Sequence, residues 1–173
     1  AGCLYVVYGN GLAGSSRVYP QSSWGADVIS RIEAALGGAD AGLAQAVCRA
    51  ADAMLSELAA GAGIGTEQID GAVITGNTVM LHLLTGTSAE PLSHAPFAAK
   101  RLFGETVSAG ELGLKGLRPD TEVYLAPCAA AFVGADLMTA ALAGGICRSS
   151  RTQLLVDVGT NGEMALWHGG ELY

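Results

Sequence analysis

Residues 154–163 read Leu-Leu-Val-Asp-Val-Gly-Thr-Asn-Gly-Glu, and no other stretch restricts the fold so strongly. A short apolar run closed by glycine is a buried strand. It delivers Asp157 into a tight turn at 159–162, and residues 163–167 leave as a returning strand. Gly159 and Gly162 let the backbone approach a ligand closely and take positive φ. Successive N–H groups in such a turn form an anion-binding concavity, and Thr160 and Asn161 add side-chain donors. Asp157 cannot hold a phosphate directly, because both are negative. It can hold the hydrated Mg²⁺ that accompanies ATP, and Glu163 can orient a metal-bound or attacking water. The competing reading is an ordinary hairpin, since Asn161-Gly162 is a strong type I′ turn signal. The buried strand and the Asp-x-Gly-Thr tip together favour a phosphate loop.

The rest of the chain alternates helices with single short strands. A strand at 3–8, a turn at Gly9-Asn10-Gly11 and a partner strand at 12–19 open it. Asp27 is placed to cap a helix that carries Val28, Ile29, Ile32 and Leu36 on one face and that Gly37-Gly38 stops. Apolar residues three and four apart predict an amphipathic helix over 43–60. A buried strand at 71–75 runs into Gly76-Asn77 and a short apolar helix at 79–84. Residues 86–119 are punctuated by prolines, with short helices expected around 97–103 and 108–112. A strand at 123–126 precedes Pro127, which opens a long small-residue helix over 128–143. The third strand of the closing meander begins at 171. Single strands separated by helices imply parallel pairing in an α/β sheet, and the terminal hairpins imply antiparallel edges. The two hairpin starts suggest two related lobes, the second barely begun.

Composition excludes several classes of function. A net charge of −7 with nine Lys plus Arg offers no positive footprint for nucleic acid or an anionic membrane. Its longest apolar run, 126–146, is broken by Asp136 and several glycines, so no stretch predicts a membrane span. No signal peptide is apparent. Four scattered cysteines without a Cys-x-x-Cys pair predict no zinc or iron–sulfur site. They read as free thiols in a reducing cytoplasm. His82, His94 and His168 show no ligand spacing, and His82 reads as a helix-face residue.

Asp-x-Gly-Thr on a hairpin resembles the phosphate loop of the acetate and sugar kinase, heat-shock ATPase and actin superfamily. Further stretches resemble the C-terminal ATPase region of the reductive activators of corrinoid proteins. These are Gly25-Ala26-Asp27-Val28-Ile29-Ser30-Arg31-Ile32, the run from Thr75 to Gly86, Pro96-Phe97, Glu111-Leu112-Gly113-Leu114 and Phe132-Val133-Gly134-Ala135-Asp136. The resemblance implies a ribonuclease H-like, actin-type ATPase lobe: a mixed sheet with flanking helices, followed by the first hairpin of a second lobe. That division puts the first lobe at 1–127 with a helical insertion around 86–119, an interlobe helix at 128–146, and the second lobe from 147.

The implied activity uses ATP and Mg²⁺ to drive reduction of cob(II)alamin to cob(I)alamin in a corrinoid iron–sulfur or corrinoid methyltransferase protein. The electron comes from a [2Fe–2S] domain further upstream, and a homodimer stays open. Family members carry an earlier Asp-x-Gly-Thr loop and a later adenosine-binding part that this sequence lacks. The chain is therefore expected to be a fragment, inactive alone. Two other jobs remain open on the residues: an actin-like activator of another enzyme or a small-molecule kinase, and a non-catalytic interaction domain with a vestigial loop. Gly76, Asn77 and Thr78 sit where a strand meets a helix, the usual ligand end of an α/β sheet. Asn77 and Thr78 can instead simply cap the helix. Asp27, Gly134 and Asp136 are candidate interlobe contacts, although Asp27 reads first as a cap for its helix.

Overall fold

A computed structural model describes residues 2–8, 11–18, 20–158 and 162–173. The chain opens with an antiparallel hairpin of β1 (Gly2–Tyr8) and β2 (Gly11–Arg17). The turn residues Gly9 and Asn10 lie outside the described residues.

Helix α1 (Val28–Ala34) starts where Asp27 accepts a hydrogen bond from the Ser30 N–H at 2.8 Å, as the capping reading requires. The Gly37-Gly38 pair interrupts the helical path without ending it. A wide turn at Ala35–Ala39, with Gly38 at φ 94°, leads directly into α2 (Asp40–Ala62). α2 therefore starts earlier than its apolar periodicity indicates. Its buried stripe includes Leu43, Ala46, Met54, Leu55 and Leu58, and Gly63 at φ 71° closes it in the left-handed cap only glycine adopts cheaply.

The central sheet has the order β3 (Gly71–Ile74), β5 (Glu122–Leu125), β4 (Glu105–Ser108). β3 and β5 are parallel, whereas β4 is antiparallel to β5. Between them lie α3 (Thr78–Leu84) and α4 (Ala109–Leu112). Val123 and Leu125 of β5 are fully buried against Leu55, Leu58 and Leu112. On the opposite face Val73 and its register partner Tyr124 are exposed. A second core joins α1, α2 and α3 through Ile32, Leu43, Val79 and Leu83.

Two predicted helices differ from what is found. Residues 97–103 form no helix. Phe97 and Phe103 have φ of 57° and 60°, values a right-handed helix excludes. The backbone bonds outward instead: Cys128 N–H donates to Leu102 O at 2.8 Å and Gly104 N–H to Leu125 O at 2.9 Å. This segment feeds β4, a strand the sequence reading did not identify.

The long helix over 128–143 is also shorter than predicted. α5 spans Ala135–Gly144, and residues 127–134 are loop. Ala129 and Ala130 both donate backbone N–H groups to Val133 O, and the Ala130 carbonyl accepts from the Thr78 hydroxyl at 2.7 Å. Those bonds turn the small-residue run back on itself before a helix can start.

After α5 the chain turns through Ile146–Arg148 into an antiparallel meander of β6 (Gln153–Val158), β7 (Gly162–His168) and β8 (Glu171–Leu172). Leu137, Ala141 and Ile146 pack on Leu155, Ala165 and Trp167. The whole is a mixed α/β fold, with β3 and β5 parallel as the alternation of elements predicted; the antiparallel edge of the central sheet is β4, and the two terminal hairpins form sheets of their own rather than its edges. Among the described residues, no helix is long and apolar enough to cross a membrane.

Candidate functional site

The carboxyl ends of β3 and β5 face the start of α5, and three sequence motifs meet there. Asn77 caps α3, its Oδ1 accepting from the Val79 N–H at 2.9 Å. Thr78 is fully buried, with its hydroxyl engaged on Ala130. The Gly76 carbonyl accepts from the Ala135 N–H at 2.9 Å, and the Thr75 and Thr139 hydroxyls meet at 3.0 Å. Gly134 is the point of closest approach: a methyl group there would fall 2.6 Å from Asn77 Cα. The backbone contact requires the absence of a side chain at this position. Asp136 lies in the first turn of α5, exposed, with Oδ1 3.1 Å from the Leu137 N–H.

The second half of the site is the β6–β7 hairpin. Asp157 and Glu163 are direct register partners, so both carboxylates project from one face. That face also carries Leu155 and Ala165, which pack on α5. The hairpin's base is pinned near the far end of the helix, where Trp167 Nε1–H donates to Ser149 O at 2.8 Å. From that base the hairpin lies against α5, with Leu155 and Ala165 in one core with Leu137 and Ala141. The tip itself, Gly159, Thr160 and Asn161, lies outside the described residues. Gly162 pairs with Val158 at its edge.

Asp27 stands apart from this pair of carboxylates. It is exposed, and hydrogen bonds from the Ser30 N–H and hydroxyl hold its carboxyl below the usual range.

Three residues that the sequence reading gave no role tie the site to its surroundings. Arg31, almost fully buried, donates from Nε to Gly25 O at 3.1 Å and from Nη2 to Ala26 O at 3.3 Å. Its place beside Ile32, on the inner side of an amphipathic helix, was the available signal. His82 is not a surface residue of its helix but fully buried. Its Nδ1 bonds the Thr78 carbonyl at 2.8 Å, its Nε2 lies 3.4 Å from the Arg101 N–H, and Phe103 meets it edge-on at 5.3 Å. A carbonyl on one nitrogen and an N–H on the other fix the neutral ring with its proton on Nδ1. Burial lowers its pKa accordingly. Arg101 in turn pairs with Glu105 at 2.7 Å and stacks over Phe103.

Among the described residues no group of three or more His, Cys, Asp or Glu is arranged to hold a metal ion. Cys48 and Cys128 are buried free thiols and Cys147 is an exposed one.

A family model described as RACo middle region matches residues 4–149, ending just before the β6–β7 hairpin. The corrinoid activation enzyme RamQ of Eubacterium limosum is 30% identical over 166 residues, covering 91% of this chain and 26% of that protein. A solved structure described as a reductive activator for corrinoid, iron–sulfur protein superimposes with a TM-score of 0.87 at 31% identity, covering 94% of this chain and 26% of that one. The chain thus spans 26% of the length of each of these relatives. Matched by the family model over most of its length, the chain belongs to the RACo middle region family.

Proposed function

We propose that this chain is part of the ATP-binding core of a reductive activator of corrinoid proteins. In this reading the central sheet and its helices are a ribonuclease H-like lobe of the actin type, α5 connects the lobes, and the β6–β7 hairpin opens the second. The activator transfers one electron from a [2Fe–2S] domain elsewhere in the longer protein to cob(II)alamin in its corrinoid partner, and ATP drives the step.

One observation carries the site assignment. Two carboxylates, Asp157 and Glu163, stand opposite each other at the mouth of a glycine-rich hairpin. Like charges in direct cross-strand register are unfavourable unless a cation lies between or beside them. Hard oxygen donors, few in number, suit Mg²⁺, which keeps most of its waters and takes its remaining ligands from substrate phosphates. Bound there, the ion would neutralise phosphate charge. Asp157 would accept hydrogen bonds from the waters of such an ion and Glu163 would orient a water, with Asn77 at the start of α3 as the third polar residue of this reading. The described cysteines do not fit an iron–sulfur cluster: two are buried singly in separate cores and the third is exposed on another turn.

The test is Asp157→Asn in the full-length protein, assayed for ATP hydrolysis and cobalamin reduction with circular dichroism as the folding control. Both activities are expected to fall at least about a hundredfold, since metal-assisted charge stabilisation is worth several kcal/mol. Thr160→Ala should do less, because backbone donors remain. A folded Asp157→Asn protein with near wild-type rates on both assays would reduce the loop to an ordinary hairpin.

A further inference from the structure

The Gly25–Ile32 segment has a place in the fold that the carboxylate hairpin leaves unexplained. Arg31, 8% exposed, reaches from α1 across to α3. Its Nε and Nη2 donate to the Gly25 and Ala26 carbonyls, and its Nη1 lies 3.5 Å from the Met80 sulfur. Met80 belongs to the first turn of α3, the turn that Asn77 caps, and its Cβ lies within 3.9 Å of where a Gly76 side chain would begin. One guanidinium therefore joins the loop before α1 to the Gly76–Asn77–Thr78 turn. With all three nitrogens engaged on protein atoms, it does not reach for a ligand itself.

We propose that Arg31 is a positioning residue for the nucleotide site: by holding the first turn of α3 to the loop before α1, it fixes where Asn77 stands at the end of β3. This rests on the nucleotide reading of that hairpin. The planar fork is the required chemistry. A lysine keeps the charge but has one ammonium, which cannot reach two carbonyls and a thioether at fixed angles. Arg31→Lys therefore separates a positional role from a purely electrostatic one.

The experiment uses the full-length protein and titrates Mg·ATP by calorimetry into wild type, Arg31→Lys, Met80→Leu and Asp157→Asn, well below each melting temperature. Met80→Leu removes the sulfur partner without a large cavity and covers the case in which Arg31→Lys does not fold. A displaced Asn77 should raise the Kd about tenfold in folded Arg31→Lys and less in Met80→Leu, and should lower kcat at saturating ATP as well. A merely structural role would lower the melting temperature while leaving the Kd of the folded protein within about twofold. That result overturns the proposal. If Asp157→Asn loses binding while Arg31→Lys and Met80→Leu retain it, the nucleotide site stands and only the role of Arg31 falls. If wild type binds no Mg·ATP, both fall together.

Discussion

A methyl group on Gly134 would lie 2.6 Å from Asn77 Cα and 2.8 Å from the Gly76 carbonyl oxygen. No side chain fits between these backbones. The start of α5 is therefore seated on the turn that ends β3, and the Ala135 N–H to Gly76 O bond at 2.9 Å closes the joint. Anything that shifts α5 shifts the hairpin that packs on it, because Leu137 and Ala141 share one core with Leu155 and Ala165.

Gly134→Ala should be destabilising by about 1–3 kcal/mol, the usual cost of overpacking against atoms that cannot move aside. Gly144→Ala, near the other end of α5, meets only the Ile146 side chain at 3.7 Å and is the control. Urea denaturation of the two variants checks the contrast. Equal midpoints would show that the joint at Gly134 is loose.

Asp157→Asn and Glu163→Gln should each leave the hairpin slightly more stable, by about 0.2–1 kcal/mol at neutral pH and without added Mg²⁺. Each removes one of two facing like charges. The double variant should gain little beyond either single one, because the repulsion is already gone. Thermal unfolding of the four proteins in a double-mutant cycle measures this. Additive gains, or losses in both single variants, would mean that the two carboxylates do not sense each other.

Buried, neutral His82 makes stability depend on pH. Its native pKa is lowered, chiefly by burial, below the ordinary value of 6.5. The unfolded chain therefore binds the proton more readily. Stability from this group is complete above about pH 6.5 and declines as pH falls below that toward the depressed native value. Protonation would also set an Nε2–H against the Arg101 N–H. His82→Gln should flatten the decline in urea midpoint between about pH 7 and 5. Asp27 and Glu111, whose pKa values are lowered by Ser30 and Ser108, act in the same direction at more acidic pH. An unchanged slope in the variant would assign the effect to carboxylates.

Thiol labelling should distinguish the cysteines. Cys147 is exposed, whereas Cys48 and Cys128 are buried and burial raises their pKa values. At pH 8 Cys147 should react with a disulfide reagent well before Cys48 and Cys128, as peptide mapping of the modified chain would show. Comparable rates at Cys128 would indicate that the loop between β5 and α5 opens readily.

Local rules carried much of the fold. The apolar spacing of α2, the Asp27 and Asn77 caps and the glycine-closed hairpin are set by neighbours within a few residues, and each stands where its signal lies. So does α4, where Ser108 and Glu111 cap the helix reciprocally. Residues 97–103 and 127–134 are different. Their own propensities do not oppose a helix, but their backbone groups bond to His82, to Thr78 and to each other across the loop. Those partners are brought together by the sheet, so nothing within either segment announces them. The Asp157 hairpin was legible because two short apolar strands and the glycines between them fall in one short run. That Gly134 touches Asn77, that Arg31 spans α1 and α3, and that His82 is sealed under Phe103 were decided by tertiary packing alone. Each joins residues dozens of positions apart or on separate elements, and only the folded sheet and its helices fix that distance.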